Sequence, residues 1–599
     1  MATLSRSYRC LVTSRPIFAR HLVPSSLSCS LRNRRSIPRQ SHATFATQAE
    51  DKKPFYVTTP IFYVNAAPHV GHLYSMVLGD VIKRWQVLKG NPNAIFLTGT
   101  DEHGIKIQQA AQAAGMDTQA FCDMNCKTFM DLARAAKIGN DHFMRTTDEA
   151  HKDAVRFFWE SLQHRGYIYT KKHEGWYSVS DEAFYPQSQV EPSLDPATGR
   201  KRMISTETGK EVEWSSETNY HFRLSAFKDR LLEFYEQNPK FILSKNHMRH
   251  LVKAVETELQ DLSISRPVER LTWGVRVPGD DSQTIYVWLD ALINYLTKAG
   301  YPFTPGKESE LGWPADLHIV GKDIVRFHCI YWPAFLMALD LPLPRHVLVH
   351  GHWTMNKAKM SKSTGNVVNP FFAIDRFSVD VMRFFLTLRG PLGDDSNYEN
   401  INIVNDYKKY LQYGVGNVYQ RLMGVTRLKF RPSIDAAKNG FKTEATENDK
   451  EFEQYLQELP AVVERFMEAF NSKAALRELM DGAMKVPLSS LVSSNIKTDS
   501  LTKAQNYFHR AAPWEHKHDL TRVDRVIYNI SEFLRISGIL LQPFMPQKSS
   551  EILDRIGVSQ DATKRGFAAA KYGADYEYGV VENPVDRRQF LFPPLMVED

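Results

Sequence analysis

Two short segments of this 599-residue chain carry side chains suited to phosphate chemistry. The first is His69-Val70-Gly71-His72, where a β-branched and aromatic run (residues 55–63, FYVTTPIFY) gives way to a helical pattern. Histidines three apart can face one side of an opening helical turn. The amides and positive dipole of such a turn attract phosphate oxygens. Gly71, lacking a Cβ, would let a flat base approach the backbone. Imidazoles donating to an α-phosphate would stabilise the charge that develops during in-line displacement. Read alone, the tetrapeptide is equally a helix start with two solvated histidines.

The second segment is Lys359-Met360-Ser361-Lys362-Ser363, bounded by Gly351 and by Thr364, Gly365 and Asn366, which mark a loop. Two lysines and two hydroxyls there suit a triphosphate whose negative charge grows at the leaving pyrophosphate. A solvated basic loop is the bland alternative. It loses ground because the segment follows a strand pattern downstream of the His-x-Gly-His turn.

The elements that must position these groups read as β-α-β-α. A strand over 55–63, a helix over about 70–88, a strand over 94–98 and a helix over 104–114 predict a parallel sheet with ligands at its carboxyl end. Between about 169 and 245, short aromatic strands and turn clusters replace the periodic segments and predict an inserted module. Strands over 317–320 and 346–349, with a helix over about 323–338 between them, complete the sheet. Beyond 400 the strand signal ends. Val523, Val526, Ile527, Ile530 and Leu534 line one helix face, and similar spacing over 404–425 and 450–488 predicts a helical bundle. The expected organisation is α/β: a Rossmann-type parallel sheet in two halves (50–168 and 246–399), an insertion (169–245), an all-α bundle (400–558) and a tail (559–599).

The formal charge of +7 belongs to the beginning of the chain. Residues 1–49 hold eight arginines and no lysine, aspartate or glutamate; the rest sets 67 Lys and Arg against 68 Asp and Glu. Arginine interleaved with serine and apolar residues predicts an organellar transit peptide, mitochondrial ahead of plastid; a basic RNA-binding tail is the alternative. The nearly neutral remainder must bind nucleic acid through local patches. No run approaches the roughly 20 apolar residues of a membrane span, and five cysteines make no disulfide scaffold.

Both phosphate segments, with the stretches TPIFYVNAAPHVGH, FLTGTDEHG, YVWLDALINY, VGKDIVRFHCIYWP and AKMSKSTGN, resemble the class I aminoacyl-tRNA synthetases, and within them the methionyl-tRNA synthetases. The resemblance runs from Phe55 to about Leu553. It implies methionine activation by ATP with Mg²⁺, then transfer to the 3′ end of tRNA(Met), by a monomer in the mitochondrial matrix. His69, His72, Lys359 and Lys362 would be catalytic. ATP would be held by His69, Gly71, His72, Gly321, Asp323 and Lys362. Methionine would be held by Ile61, Tyr63, Asp101, Trp288, Ala291, Tyr295, Ile324, His328 and Trp332. An aspartate suits the substrate ammonium, and aromatic rings can enclose a thioether, although each aromatic alone reads more readily as core.

The resemblance also places anticodon recognition on Asn417, Arg421 and Trp514. Asn417 and Arg421 are four apart on one helix face, and a Trp can stack on an unpaired base. Lys408, Lys409, Arg427, Lys429 and Arg431 flank them as phosphate contacts or as a solvated basic face. Two departures stand out. Leu292 occupies a position where some members carry proline, and Ser178 and Asp181 stand where many carry zinc-knuckle cysteines, so no zinc is expected. Cys122 and Cys126 are expected to be packing residues. A non-catalytic RNA-binding protein on the same scaffold should show eroded ATP motifs. Synthetases for leucine, isoleucine or valine need a larger insertion, and a cysteine enzyme needs a zinc site.

Overall fold

The sheet forms because residues 56–63, 95–101, 317–321 and 347–350 bury nearly every side chain, as a strand covered on both faces must. The computed structural model describes residues 53–179, 183–195, 198–355, 358–359, 367–426, 430–482, 503–513, 520–580 and 589–595. The candidate leader 1–49, Asp181, Lys362, Arg427, Lys429 and Trp514 therefore lie outside the described residues, and Lys359 is described in its backbone alone.

Strands β1 (Tyr56–Tyr63), β2 (Ile95–Asp101), β3 (His142–Arg145), β4 (Leu317–Gly321) and β5 (Val347–His350) pair in the order β5-β4-β1-β2-β3. All four pairings are parallel. β1 is the switch point, with its successor β2 on one side and the distant β4 on the other, and ligands bind outside the carboxyl ends at such a point. Register sets Tyr63 opposite Asp101, and Gly321 opposite His350, at that end. Helix α1 (Val70–Leu88) follows β1 with the bounds its apolar period predicts.

The expected helix over 323–338 is broken. A 3₁₀ turn (Lys322–Ile324) leads to a π turn (Phe327–Tyr331) and then an α-helix (Trp332–Ala338). Pro333 explains it: a proline inside a helical run donates no N–H to the carbonyl four residues earlier. That carbonyl, of Cys329, instead accepts from the Tyr235 hydroxyl at 2.6 Å. The 3₁₀ turn brings Ile324 to the cleft, and the π turn brings Phe327, His328 and Tyr331.

The inserted strands run past residue 245. Ile168–Ser178 and Glu211–Phe222 form a long antiparallel ribbon, and Leu262–Ser263 adds to its far end after two helices, Lys228–Gln237 and Lys245–Glu258. Beyond Asn400 the described elements are helical; Leu520–Leu541 buries Val526, Ile527, Ile530 and Leu534 as its spacing predicts.

Residues read as a tail also pack into the bundle, burying Ala570, Tyr578, Leu591 and Phe592. Buried Arg535 pairs with Glu532 at 2.6 Å and donates to the Lys571 carbonyl at 2.7 Å, while Glu532 accepts from Gly573 N at 2.8 Å. The bundle reaches α1 through Arg383, which meets buried Asp80 at 2.6 Å and donates to the carbonyls of Pro543 (2.8 Å) and Phe544 (3.1 Å).

Candidate active site

The carboxyl end of the sheet, the π turn, helix Val287–Leu292 and the inserted ribbon enclose a cleft of about 1310 Å³. His69, Gly71 and His72 line it at the start of α1. His69 is the N-cap: its Nδ1 accepts from Gly71 N, and His72 Nδ1 accepts from His69 N, both at 3.0 Å. The rings stack with centroids 3.8 Å apart. An Nδ1 that accepts from an amide carries no proton, so each neutral ring keeps its proton on Nε2 as a donor.

This geometry changes two expectations. The first-turn amides are already engaged, Val70 N by the Val368 carbonyl and the next three by His69. What the turn offers an anion is therefore imidazole N–H and the helix dipole, and not free amides. A Cβ on Gly71 would lie 2.8 Å from the His69 ring, so glycine is needed to seat that ring.

Gly321 and Asp323 line the same cleft. A Cβ on Gly321 would meet the Asp323 carboxylate at 2.8 Å, and Asp323 lies 3.2 Å from His352 Nε2. Lys322 pairs with Asp395 at 2.7 Å, and Asp395 accepts from His352 N at 2.8 Å. His350, at the end of β5, meets Ser75 of α1 at 3.0 Å through Nε2.

Of the nine methionine candidates, Ile61, Tyr63, Asp101, Trp288, Ala291, Tyr295, Ile324 and His328 line the cleft. Trp332 is the exception: it is fully buried and backs the wall, its ring 6.1 Å from Tyr295 and 5.9 Å from Trp313. It opens helix Trp332–Ala338, every residue of which is buried.

His328 donates from Nδ1 to the Ile324 carbonyl at 3.0 Å, leaving Nε2 to accept from the Tyr295 hydroxyl at 2.7 Å. Burial pushes the His328 imidazole down to about 4, so it is neutral at pH 7. Burial likewise holds His318 well below the usual range, and Thr58 Oγ1 lies 2.7 Å from its Nδ1. Trp288 stacks on Phe327 at 3.7 Å and 9°, an apolar slab beside Ala291.

Next to Asp101, buried Glu102 receives both arms of Arg145 at 2.8 Å and Thr100 Oγ1 at 2.7 Å. Cys122 and Cys126 are buried behind it, and burial raises both thiols, so they act as packing.

In the bundle, Asn417 and Arg421 are half-buried on helix Asn417–Thr426. Gln505, on the helix leading to Pro513, donates to the Gly414 carbonyl at 3.3 Å and so draws that helix beside the segment preceding Asn417. Arg431 is engaged by Asp435 and the Tyr578 carbonyl (3.2 Å), which fits packing better than phosphate contact.

Comparison with known proteins decides the family. The model for tRNA synthetases class I (M) matches residues 55–423. A probable mitochondrial methionine–tRNA ligase of Neurospora crassa is 48% identical over 95% of this chain and 91% of its own length. One from Schizosaccharomyces pombe is 46% identical over 85% of this chain and 91% of its own. The chain belongs to the methionine branch of the class I tRNA synthetases. Its reaction class is the ATP-dependent joining of methionine to tRNA. A methionyl-tRNA synthetase of Mycobacterium tuberculosis, solved with methionyl-adenylate, superposes with a TM-score of 0.79 at 36% identity, covering 90% of this chain and 100% of that one.

Sequence reasoning missed several groups of this synthetase. Phe327 stands three residues after Ile324 in a quoted stretch, and its aromatic type was the available signal. His318 and His350 lie on strands, where nothing in the sequence distinguishes them from core.

Proposed function

We propose that one cleft performs both steps, on the residues named above. Asp101, beside Tyr63 at the strand ends, takes the methionine ammonium. The thioether lies among Trp288, Ala291, Tyr295 and His328. A methionine carboxylate oxygen attacks the ATP α-phosphorus and the bond to pyrophosphate breaks. His69 and His72 donate from Nε2 to the charge that develops on phosphate, with Lys359 and Lys362 acting at the leaving group. Gly321 and Asp323 hold the nucleoside. A terminal tRNA ribose hydroxyl then attacks the adenylate carbonyl and AMP leaves.

Mg²⁺ would be held by the triphosphate oxygens and would supply neutralisation of their charge. Asn417, Arg421 and Trp514 read the anticodon of tRNA(Met). The names of the fungal relatives and the arginine-rich 1–49 segment support a mitochondrial location, in the matrix. Among the described residues no helix is long and apolar enough to cross a membrane.

The observation that carries this reading is the convergence of the two Nε2–H donors and eight methionine candidates on one cleft. Pyrophosphate exchange measured with each of the twenty amino acids tests it. Methionine alone should support rapid exchange; equal exchange with another amino acid would overturn the pocket assignment.

A further inference from the structure

A buried charged cluster lies directly behind the methionine pocket. Asp290 sits on helix Val287–Leu292, between the lining residues Trp288 and Ala291. Its Oδ2 lies 2.6 Å from Nδ1 of His103, two residues beyond Asp101, and its Oδ1 lies 2.8 Å from Nε2 of His151. His151, on helix Glu149–His164, turns its other nitrogen to Thr297 Oγ1 at 3.0 Å. All three side chains are nearly inaccessible, at 1% for Asp290, 4% for His103 and 0% for His151. Burial alone would raise the Asp290 carboxyl, yet the two imidazoles hold it well below the usual carboxylate range.

A buried carboxylate is costly unless fully bonded, and an apolar residue would fill the same space. What the charged cluster adds is direction. Asp101 ends β2 and runs directly into the loop that carries His103, and the helix carries Trp288 and Ala291. These segments lie far apart in sequence, and the His103–Asp290 bond spans 187 residues. The loop is fixed on its other side by Trp273, whose Nε1 donates to the Glu102 carbonyl at 2.6 Å. An amino acid is selected by length only if the group holding its ammonium and the wall meeting its side chain stand at a set separation.

We infer that Asp290 is a positioning residue for amino-acid selection, which through His103 and His151 sets the distance between Asp101 and the thioether wall. The inference rests on the methionine-activating reading above. Tyr295 and His328 shape the wall itself, whereas Asp290 touches no substrate and acts on the wall's placement.

The test is pyrophosphate exchange by the full chain, without tRNA, measuring KM for methionine and ATP separately. Preference for methionine over its homologues one methylene shorter (S-methylcysteine) and longer (ethionine) is measured alongside. A misplacement near 1 Å costs on the order of 100-fold. Asp290→Ala should therefore raise the methionine KM roughly 10- to 100-fold and narrow that preference, with the ATP KM little changed. Asp290→Asn, which can serve both rings once one changes tautomer, should recover most of the loss. If Asp290→Ala does not fold, His103→Ala cuts one of the two bonds and should move the same two readouts. An unchanged methionine KM and preference, or equal rises in both KM values, would overturn the inference. Wild-type protein that exchanges with no amino acid would instead refute the underlying reading, so the two failures are distinguishable.

Discussion

The sheet wall and the inserted wall of the cleft are held together differently. Behind the sheet ends lie extensive apolar clusters, and the polar groups among them are bonded inside the protein: Glu102 to Arg145, Asp290 to two histidines, His328 to Tyr295. The inserted ribbon joins the large cluster at its base through Ile168 and Phe222; further out, Tyr177 packs with Ile105 and Leu271, and Tyr185 with Val190 and Val212, in clusters of three buried residues. It relies on cations over rings. Arg266 lies about 5 Å from Tyr177, Phe184 and Tyr286, and Arg270 lies 4.3 Å over Tyr177 while pairing with Glu217 at 2.6 Å. Trp214, facing the cleft, is 57% exposed. The proposed chemistry falls on the wall where side chains are locked by packing and buried bonds; a wall with few buried apolar contacts is expected to open at lower free energy.

The largest effect that sharpens this contrast is His69→Asn. Asparagine caps a helix as well as any residue, so α1 should keep its start while the Nε2 donor is lost. Exchange should fall about 10²- to 10³-fold, the usual cost of one transition-state donor, with the melting temperature nearly unchanged. Exchange within a few-fold of wild type would move the chemistry off the sheet wall.

For the proposed anticodon contact, Trp514→Ala should impair tRNA charging about 5- to 150-fold, since one base–aromatic stack contributes roughly 1–3 kcal/mol. Methionine-dependent exchange, which needs no tRNA, should remain. A mutant that melts earlier but discriminates as before between CAU and altered anticodons would make Trp514 a core residue of the bundle.

What was legible in the sequence follows the same division. Strand ends and α1 could be read because doubly buried strands and a long amphipathic helix impose their own periods. The pocket residues could be placed only through the resemblance of their stretches: Ile61, Tyr63 and Asp101 sit on strand ends, but Trp288, Ala291, Tyr295, Ile324 and His328 sit on short helices and turns with little period of their own. The dual role of His69, cap and donor at once, could not be read, because tautomer choice depends on which amide each Nδ1 meets. Pro333 signalled the broken helix, but the Tyr235 hydroxyl that compensates comes from the insertion. The segment after residue 558 has little period of its own and is held by Glu532 and Arg535 on another helix.

A smaller effect comes from acid. His318, His328 and His350 support the sheet wall, and burial lowers all three. The folded state therefore binds fewer protons than the unfolded state below the ordinary value of 6.5, so stability falls as pH drops from about 6.5 towards 4. Melting temperature should decline across that window, and His328→Gln should make the decline shallower. An equally steep decline in the variant would show that His328 does not contribute to it.

The smallest expected effect is that of a chelator, and it tests the other wall. Ser178 is a buried hydroxyl, not a thiolate, at the position where the family resemblance would place a zinc-knuckle cysteine. A closed structural zinc site takes about four Cys or His ligands, and the ribbon's own support is Tyr177 held between Arg266 and Arg270. A cation over a ring contributes about 0.5–2 kcal/mol without any metal. Prolonged chelation should therefore leave the melting curve unchanged, and charging should return fully once Mg²⁺ is restored. Elemental analysis that finds about one tightly held zinc per chain, with loss of the ribbon's protease resistance on its removal, would show that the inserted wall has a metal support after all.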